Sequence, residues 1–148
     1  MKVFAVSISI RARPEAIWAL LTDAQGFSSW NSTVESVLGQ IALGSRITVR
    51  ARATPGQAFP VKVSEFVPPS RMVWSGGMPL GLFSGRRTFT LEPQEQGHVR
   101  FDMREEFTGL LAPLISRSIP DLRPSFDRFA ADLKQRAESV TRCCRGSR

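Results

Sequence analysis

Two ionisable residues stand out because each shares a strand face with apolar side chains. At a period of two, Arg87 falls on the same face as Phe89, and Glu105 on the same face as Met103 and Phe107. A few polar groups on apolar walls are typical of a pocket that orients an apolar ligand. Two other arrangements give the same pattern: each charge reaches water at a strand end, or the two pair with each other across the sheet.

The other residues that could perform catalysis form no recognisable set. His98 is the only histidine and follows a turn glycine, so we expect it at the surface, and no nucleophile accompanies it as in a hydrolase triad. Glu35, Glu65, Asp102 and Glu106 supply carboxylates, but proton transfer also requires a suitable pKa and a substrate within hydrogen-bond reach. Phosphate-binding glycine loops and zinc-ligand spacings are absent from the sequence. No catalytic residue is therefore assigned, and no metal or cofactor is expected.

The length and composition are those of one globular domain. The chain has 148 residues, of which 42% are hydrophobic and 22% charged. The segment "VFAVSISI" alternates and is followed by Arg11 and Arg13, which favours a strand over a signal peptide. No run approaches the ~18 to 20 apolar residues of a membrane span. We expect a single cytoplasmic domain over residues 1–140, without stable membrane insertion.

The basic charge is dispersed. Of the 20 basic residues 17 are arginine, scattered rather than clustered, so no nucleic-acid footprint emerges. Three of the arginines fall in residues 141–148 with no acid among them, which leaves +4 of the net +7 for the rest. This basic tail is expected to be unstructured, and its adjacent Cys143 and Cys144 to be free thiols, with a redox or metal role as the alternative.

The hydrophobic pattern predicts an α+β protein. Alternation over residues 3–10 predicts a half-buried strand, and Pro14 marks the start of a helix that a second short turn over residues 27–30 follows. Alternating segments from residue 32 to residue 107 predict five or six further antiparallel strands. Apolar residues three and four apart from Leu122 to Val140 predict a long amphipathic helix, which one curved sheet must cover.

Six phrases in this order are similar to a known family: "RPEAIWALLTD", "FSSWN", "LGSRITV", "VPPSRMVWSG", "TFTLEP" and "EEFTGLLAPL". From near residue 3 to about residue 138, the chain resembles the SRPBCC superfamily, also called START-like or helix-grip, in its bacterial polyketide cyclase/dehydrase branch. The resemblance implies a curved six- or seven-stranded antiparallel sheet wrapped around a long C-terminal helix, with two short helices after the first strand. It also implies an apolar cavity between sheet and helix.

The resemblance implies the binding of a small hydrophobic molecule, such as a lipid, an isoprenoid quinone or a polyketide-like aromatic, by a monomer or homodimer. One alternative is a cyclase or aromatase in which Glu105 or Arg87 moves protons or stabilises an enolate. The other is a protein-interaction module without a ligand. Large rings also fill ordinary cores, so each aromatic residue has a purely structural interpretation as well. The expected ligand contacts are Trp30, Trp74, Phe83, Arg87, Phe89, Phe101, Met103, Glu105, Phe107, Leu111, Leu114, Phe126 and Phe129.

Two apolar segments are hard to place by periodicity. The connection "FTGLLAPLISRSIP", residues 107–120, would be the hinge before the long helix, with its aliphatic side chains from Leu110 to Ile115 at the cavity or its mouth. Pro120 and Pro124 predict a kink or a short separate helix there. The loop "GGMPLGLFSG" is expected to close over an opening or to pack on a neighbouring molecule.

Overall fold

The computed structural model describes the backbone of residues 2–145 and the side chains of residues 2–140. The elements are, in chain order, β1 Lys2–Ile10, α1 Pro14–Thr22, α2 Phe27–Trp30, β2 Val34–Leu38, β3 Arg46–Ala51, β4 Phe59–Val67, β5 Arg71–Met78, β6 Phe83–Pro93, β7 Val99–Thr108, α3 Ala112–Ile115 and α4 Arg123–Arg145, with short 3₁₀ turns at Glu95–Gly97 and Ser116–Ser118.

The strands form one antiparallel sheet. Its order is β1-β7-β6-β5-β4-β3-β2, and every neighbouring pair is antiparallel. The sheet curls into a half-barrel around α4, and α1 and α2 follow β1. The prediction of an α+β helix-grip fold is therefore confirmed, with seven strands.

Helix α4 is held by an apolar stripe with the spacing that the sequence predicts. Phe126, Phe129, Ala130, Leu133 and Ala137 are each at most 2% exposed, and their spacing of three and four residues places them on one side of the helix. Burial of this stripe removes apolar surface from water, which is the main force holding the helix against the sheet.

The deep half of the concave face is filled with apolar side chains. Phe89 pairs in register with Met103 and Leu91 with Phe101, and these four are at most 3% exposed. In a strand, alternate residues point to the same face, so all four face the helix. This half of the fold is a packed core.

The connection before α4 is broken as predicted. Helix α3 and the 3₁₀ turn are short, and Ile119 is extended before α4 begins at Arg123. The backbone N–H groups of Leu110 and Leu111 donate to the carbonyl oxygens of Gly81 and Leu82, at 3.1 and 2.8 Å. The connection therefore lies against the loop between β5 and β6, and a short separate helix is confirmed.

The predicted basic tail lies largely outside the described residues. Helix α4 is described as far as Arg145, but the side chains beyond residue 140, including the two cysteines, and the backbone of residues 146–148 are not. The tail therefore stays a prediction. None of the described helices is long and apolar enough to cross a membrane.

Truncating the stripe on α4 should destabilise the fold. Leu133 is fully buried, so we expect Leu133→Ala to lower the free energy of unfolding by about 2–5 kcal/mol, because it leaves a cavity. Val140 on the same helix is 43% exposed, and Val140→Ala should cost less than about 1 kcal/mol. Urea denaturation measures both, and equal losses would contradict the proposed packing of α4.

The start of α4 carries a pH-dependent contact. Hydrogen bonds from Arg123 lower the pKa of the Asp121 carboxyl from 3.8 to about 2. Because the folded-state pKa is depressed, the stabilising contribution is complete above pH 3.8 and is lost as the pH falls through about 2. We expect Arg123→Gln to move the Asp121 pKa back toward 3.8, which a carbon NMR titration of the side-chain carboxyl would detect. An unchanged pKa would contradict the contact.

Candidate functional site

A charged pair interrupts the concave face where the packed core ends. In the sheet register Trp74 lies beside Arg87, Arg87 beside Glu105, and Glu105 beside Phe4. These four residues form a row across β5, β6, β7 and β1. The alternation predicted from the sequence is thus observed, with both charges on the inner face.

The two charges pair with each other across the sheet. Arg87 Nε and Nη2 both donate to Glu105 Oε2, the former at 3.1 Å, and the two side chains are 22% and 16% exposed. The guanidinium carbon also lies 5.1 Å from the centre of the Phe126 ring, a cation–π contact. Of the three interpretations of the sequence pattern, cross-strand pairing is the one observed. Glu105 Oε1 has no hydrogen-bond partner among the described residues.

Two glycines lie in the next row outward from this pair. Gly85 pairs in register with Gly76 on one side and with Phe107 on the other. A Cβ atom at Gly76 would lie 2.8 Å from the carbonyl oxygen of Pro60, whereas one at Gly85 would make an ordinary 3.4 Å contact with the Phe107 ring. Gly85 therefore leaves the ion pair uncovered on that side, whereas atoms of β4 occupy the space at Gly76.

Apolar side chains form the wall beside Gly85. Phe83 stacks on Phe107 with ring centres 5.8 Å apart, and Ile119 and Leu122 pack against the core just before α4. We call this end of the concave face the concave mouth and define it by Gly85, Arg87, Glu105, Phe107 and Phe126. It joins an apolar wall to a single polar pair, as ligand sites commonly do.

The predicted contact residues divide into groups. Phe89, Phe101, Met103 and Phe129 lie in the packed deep half, and Leu114 is 67% exposed. The burial of these residues does not show whether they contact a ligand, so their assignment as ligand contacts stays a prediction. Trp30 and Leu111 are partly exposed, and Trp74 is buried in the same row as the ion pair. Arg87, Glu105, Phe107 and Phe126 lie at the concave mouth, and Phe83 stacks on Phe107.

Sequence reasoning missed the glycines and one buried amide. Gly85 has the same strand parity as Arg87, so the alternation could have placed it on the inner face. Asn31 is 1% exposed and directly follows Trp30 at the end of α2. Asparagine at a helix end usually reaches solvent, so nothing in the sequence indicated its burial.

The outer face of the sheet carries most of the remaining ion pairs. A groove of ≈ 320 Å³ there includes Arg71, Arg86 and Arg104. Glu65 pairs with Arg71 at 2.8 Å and with Arg86 at 3.0 Å, and the hydrogen bond from Arg71 is the main cause that lowers the Glu65 pKa. Arg104 pairs with Glu106. Since these arginines already have carboxylate partners, the groove is a poor phosphate-binding surface.

The Arg87–Glu105 pair should couple more strongly than an exposed pair on the same strands. In a double-mutant cycle with Arg87→Gln and Glu105→Gln, we expect a coupling free energy of about 1–3 kcal/mol, because each single change leaves a half-buried charge alone. Arg100 and Glu92 are register partners across the same two strands, 46% and 59% exposed, and should couple by less than about 1 kcal/mol. Thermal unfolding measures both cycles, and equal couplings would contradict the half-buried position.

Comparison with known proteins agrees with this architecture. The family described as "Polyketide cyclase / dehydrase and lipid transport" matches residues 1–138. No curated protein matches the chain in sequence.

Several solved structures share the fold at low sequence identity. A hypothetical protein of Helicobacter pylori is 14% identical with a TM-score of 0.74, over 92% of this chain and 88% of its own. A START superfamily protein of Mycobacterium smegmatis is 14% identical with a TM-score of 0.69, over 93% and 98%. The Aha1 dimer of Colwellia psychrerythraea is 22% identical with a TM-score of 0.70, over 93% and 97%. The fold is thus START-like, and with a match over nearly all of its length the chain belongs to the polyketide cyclase/dehydrase and lipid transport family.

Proposed function

We propose that the protein binds a small hydrophobic molecule at the concave mouth, between the sheet and the start of α4. The observation that carries the proposal is the half-buried Arg87–Glu105 pair, left uncovered where Gly85 lies beside it. A folded chain gains nothing obvious from an ion pair on an apolar face, because desolvation opposes the attraction between the charges. A ligand that covers the pair could form hydrogen bonds with these charged groups, which would explain why they lie on an apolar face.

The chemistry of the walls supports an apolar ligand with one polar end. The apolar part would lie over Gly85 against the rings of Phe83, Phe107 and Phe126. Burial of apolar ligand surface contributes about 25 cal/mol per Å² to binding before the cost of association. The polar end would meet Glu105 Oε1 and the guanidinium N–H groups of Arg87 that Glu105 does not use. The family description, which includes lipid transport, supports the same ligand class.

The loop between β5 and β6 and the connection before α4 flank this end of the molecule. Leu80 and Leu110 are 92% and 80% exposed, and the loop and the connection that carry them are joined by backbone hydrogen bonds. In the proposed function these segments border the entrance and shield the bound molecule from water. The expectation that the loop covers an opening remains part of the proposal.

Filling the concave mouth should abolish binding. We expect Gly85→Leu to place an aliphatic side chain over the ion pair, because the atoms nearest to a Cβ at that position are those of the Phe107 ring, at an ordinary contact distance of 3.4 to 3.6 Å. Ser84→Leu is the matched control, since the neighbouring residue of the same strand points to the opposite face. Each protein would be incubated with a cell lipid extract, re-isolated and examined by native mass spectrometry.

Retention of a defined apolar compound by the wild type and by Ser84→Leu, but not by Gly85→Leu, is the expected result. Retention by all three proteins would place the ligand elsewhere. A wild type that remains empty, and accepts no apolar dye, would contradict ligand binding and would favour the protein-interaction alternative.

A cyclase-type enzyme is the second candidate, favoured by the inner-face position of Glu105. A carboxylate beside a guanidinium group can accept a proton next to a carbonyl while the cation stabilises the enolate. Exchange of α-protons of a bound ketone in D₂O, lost in Glu105→Gln with binding retained, would identify this activity. Binding without exchange would favour a carrier.

A further inference from the structure

The fold brings together basic residues that are far apart in the sequence. Arg46 of β3 and Lys62 of β4 are register partners, and Arg50 lies on the same face of β3 as Arg46. The next register pair, Ile47 and Val61, points to the opposite face, where Ile47 belongs to the core and Val61 packs against it. The three cations therefore lie together on the outer face of the sheet, near its β2 edge.

No carboxylate balances these cations. Arg46, Arg50 and Lys62 are exposed, and among the described residues none of them forms an ion pair. Glu35 of the edge strand β2 is also exposed and pairs with none of the three. Like charges directly opposite each other on antiparallel strands are destabilising, so the Arg46–Lys62 pair lowers the stability of the fold.

The rest of the outer face is neutralised. Each arginine on this face of β5, β6 and β7 pairs with at least one carboxylate: Arg71, Arg86, Arg100 and Arg104. Arg86 even lies in the same cross-strand row as Lys62, two strands away. The chain thus supplies carboxylates for the cations of one half of the face and none for those of the other half. Unbalanced positive charge on one side of a molecule attracts an anionic partner.

An exposed leucine lies among the cations. Leu38 of β2 is the register partner of Thr48 and is 58% exposed. Their row lies between Arg50 on one side and the pair of Arg46 and Lys62 on the other. We call these five residues the cationic face. Arginine around a central apolar contact is a composition that protein–protein interfaces favour.

We infer that the cationic face binds an acidic segment of another protein, laid along β3 in an extended conformation. Arg46 and Arg50 are four residues apart on a strand, about 13 Å, which is also the separation of every fourth side chain in an extended partner. Carboxylates at that spacing would accept paired hydrogen bonds from the two guanidinium groups. The partner residue midway between them would lie on Leu38 and Thr48. This inference does not depend on the ligand proposed for the concave mouth.

Other polyanions fit this face less well. Recognition of an anionic membrane by charge typically uses clusters of about four to eight basic residues, and the cationic face has fewer. Single-stranded nucleic acids bind through aromatic side chains on which the bases stack, and no aromatic residue belongs to this face. Duplex-binding proteins commonly make about six to ten phosphate contacts. An acidic protein segment matches the small number of cations best.

A labelled nonapeptide, Glu-Thr-Val-Thr-Glu-Thr-Val-Thr-Glu, tests the inference. The control peptide has Gln in place of each Glu. Fluorescence anisotropy at physiological salt would measure both dissociation constants for the wild-type protein. We expect the acidic peptide to bind about tenfold more tightly, because each exposed ion pair contributes a factor of about 1.5 to 5.

Removing two cations from the face should weaken binding of the acidic peptide. We expect Arg46→Gln with Lys62→Gln to raise its dissociation constant about fivefold. The matched control is Arg128→Gln with Arg136→Gln, which removes the same charge from exposed positions of α4 and should change binding less than about twofold, because salt screens distant charges. The first double variant should melt no lower than the wild type, since it relieves a repulsion, so loss of binding would not reflect unfolding.

Each alternative gives a different result. Equal weakening by the two double variants would overturn the inference, because net charge alone would then attract the peptide. Equal binding of the two peptides, or binding of neither, would also overturn it. Phosphatidylserine vesicles or a short DNA duplex would be tested in parallel. If either bound the wild type more tightly than the acidic peptide and lost that binding in Arg46→Gln with Lys62→Gln, the cationic face would belong to a membrane or to nucleic acid instead.

Discussion

The packing of the Phe129 ring holds this fold together. From one side chain of α4 it contacts Phe27 and Trp30 of α2, Phe89 of β6 and Phe101 of β7, with ring centres 5.7 to 6.1 Å apart. A helix has little stability of its own in water, so α4 depends on such tertiary contacts, and the four-residue α2 depends on them even more. One ring therefore fixes the distance between the helical layer and the sheet. Aromatic pairs in these tilted and stacked arrangements also contribute beyond the area they bury.

This packing decides where a site is possible. With the deep rows of the sheet filled, an incoming molecule has room only where side chains are small or partly exposed. That condition is met at Gly85, directly outward from Arg87. The ion pair belongs at this boundary for a physical reason. Two rows deeper its desolvation would be complete, and further outward water would screen the attraction between the charges. Its partial exposure is the compromise between the two costs.

The sequence predicted the structure correctly wherever a repeating pattern of residues determines which face is buried. Alternation placed Arg87 and Glu105 on the inner face, the spacing of Phe126, Phe129 and Leu133 defined the buried side of α4, and two prolines marked the break before it. The sequence did not indicate how deeply a residue of the inner face is buried. Parity does not distinguish Phe101, sealed in the core, from Phe83 near the edge, because the two share an inner face and differ only in their distance from the rim. The burial of Asn31 depends on tertiary packing alone.

Helix α2 is held in place by contacts of its own. Helix α2 does not need a ligand to be held in place, because the Ser32 backbone N–H and hydroxyl donate to Asp132 of α4 at 2.9 and 2.7 Å, while Phe27 is anchored in the core. A ligand at the concave mouth would therefore need no rearrangement of α2, and little conformational entropy would be lost there on binding. A molecule that binds only the folded chain would also stabilise that chain by mass action.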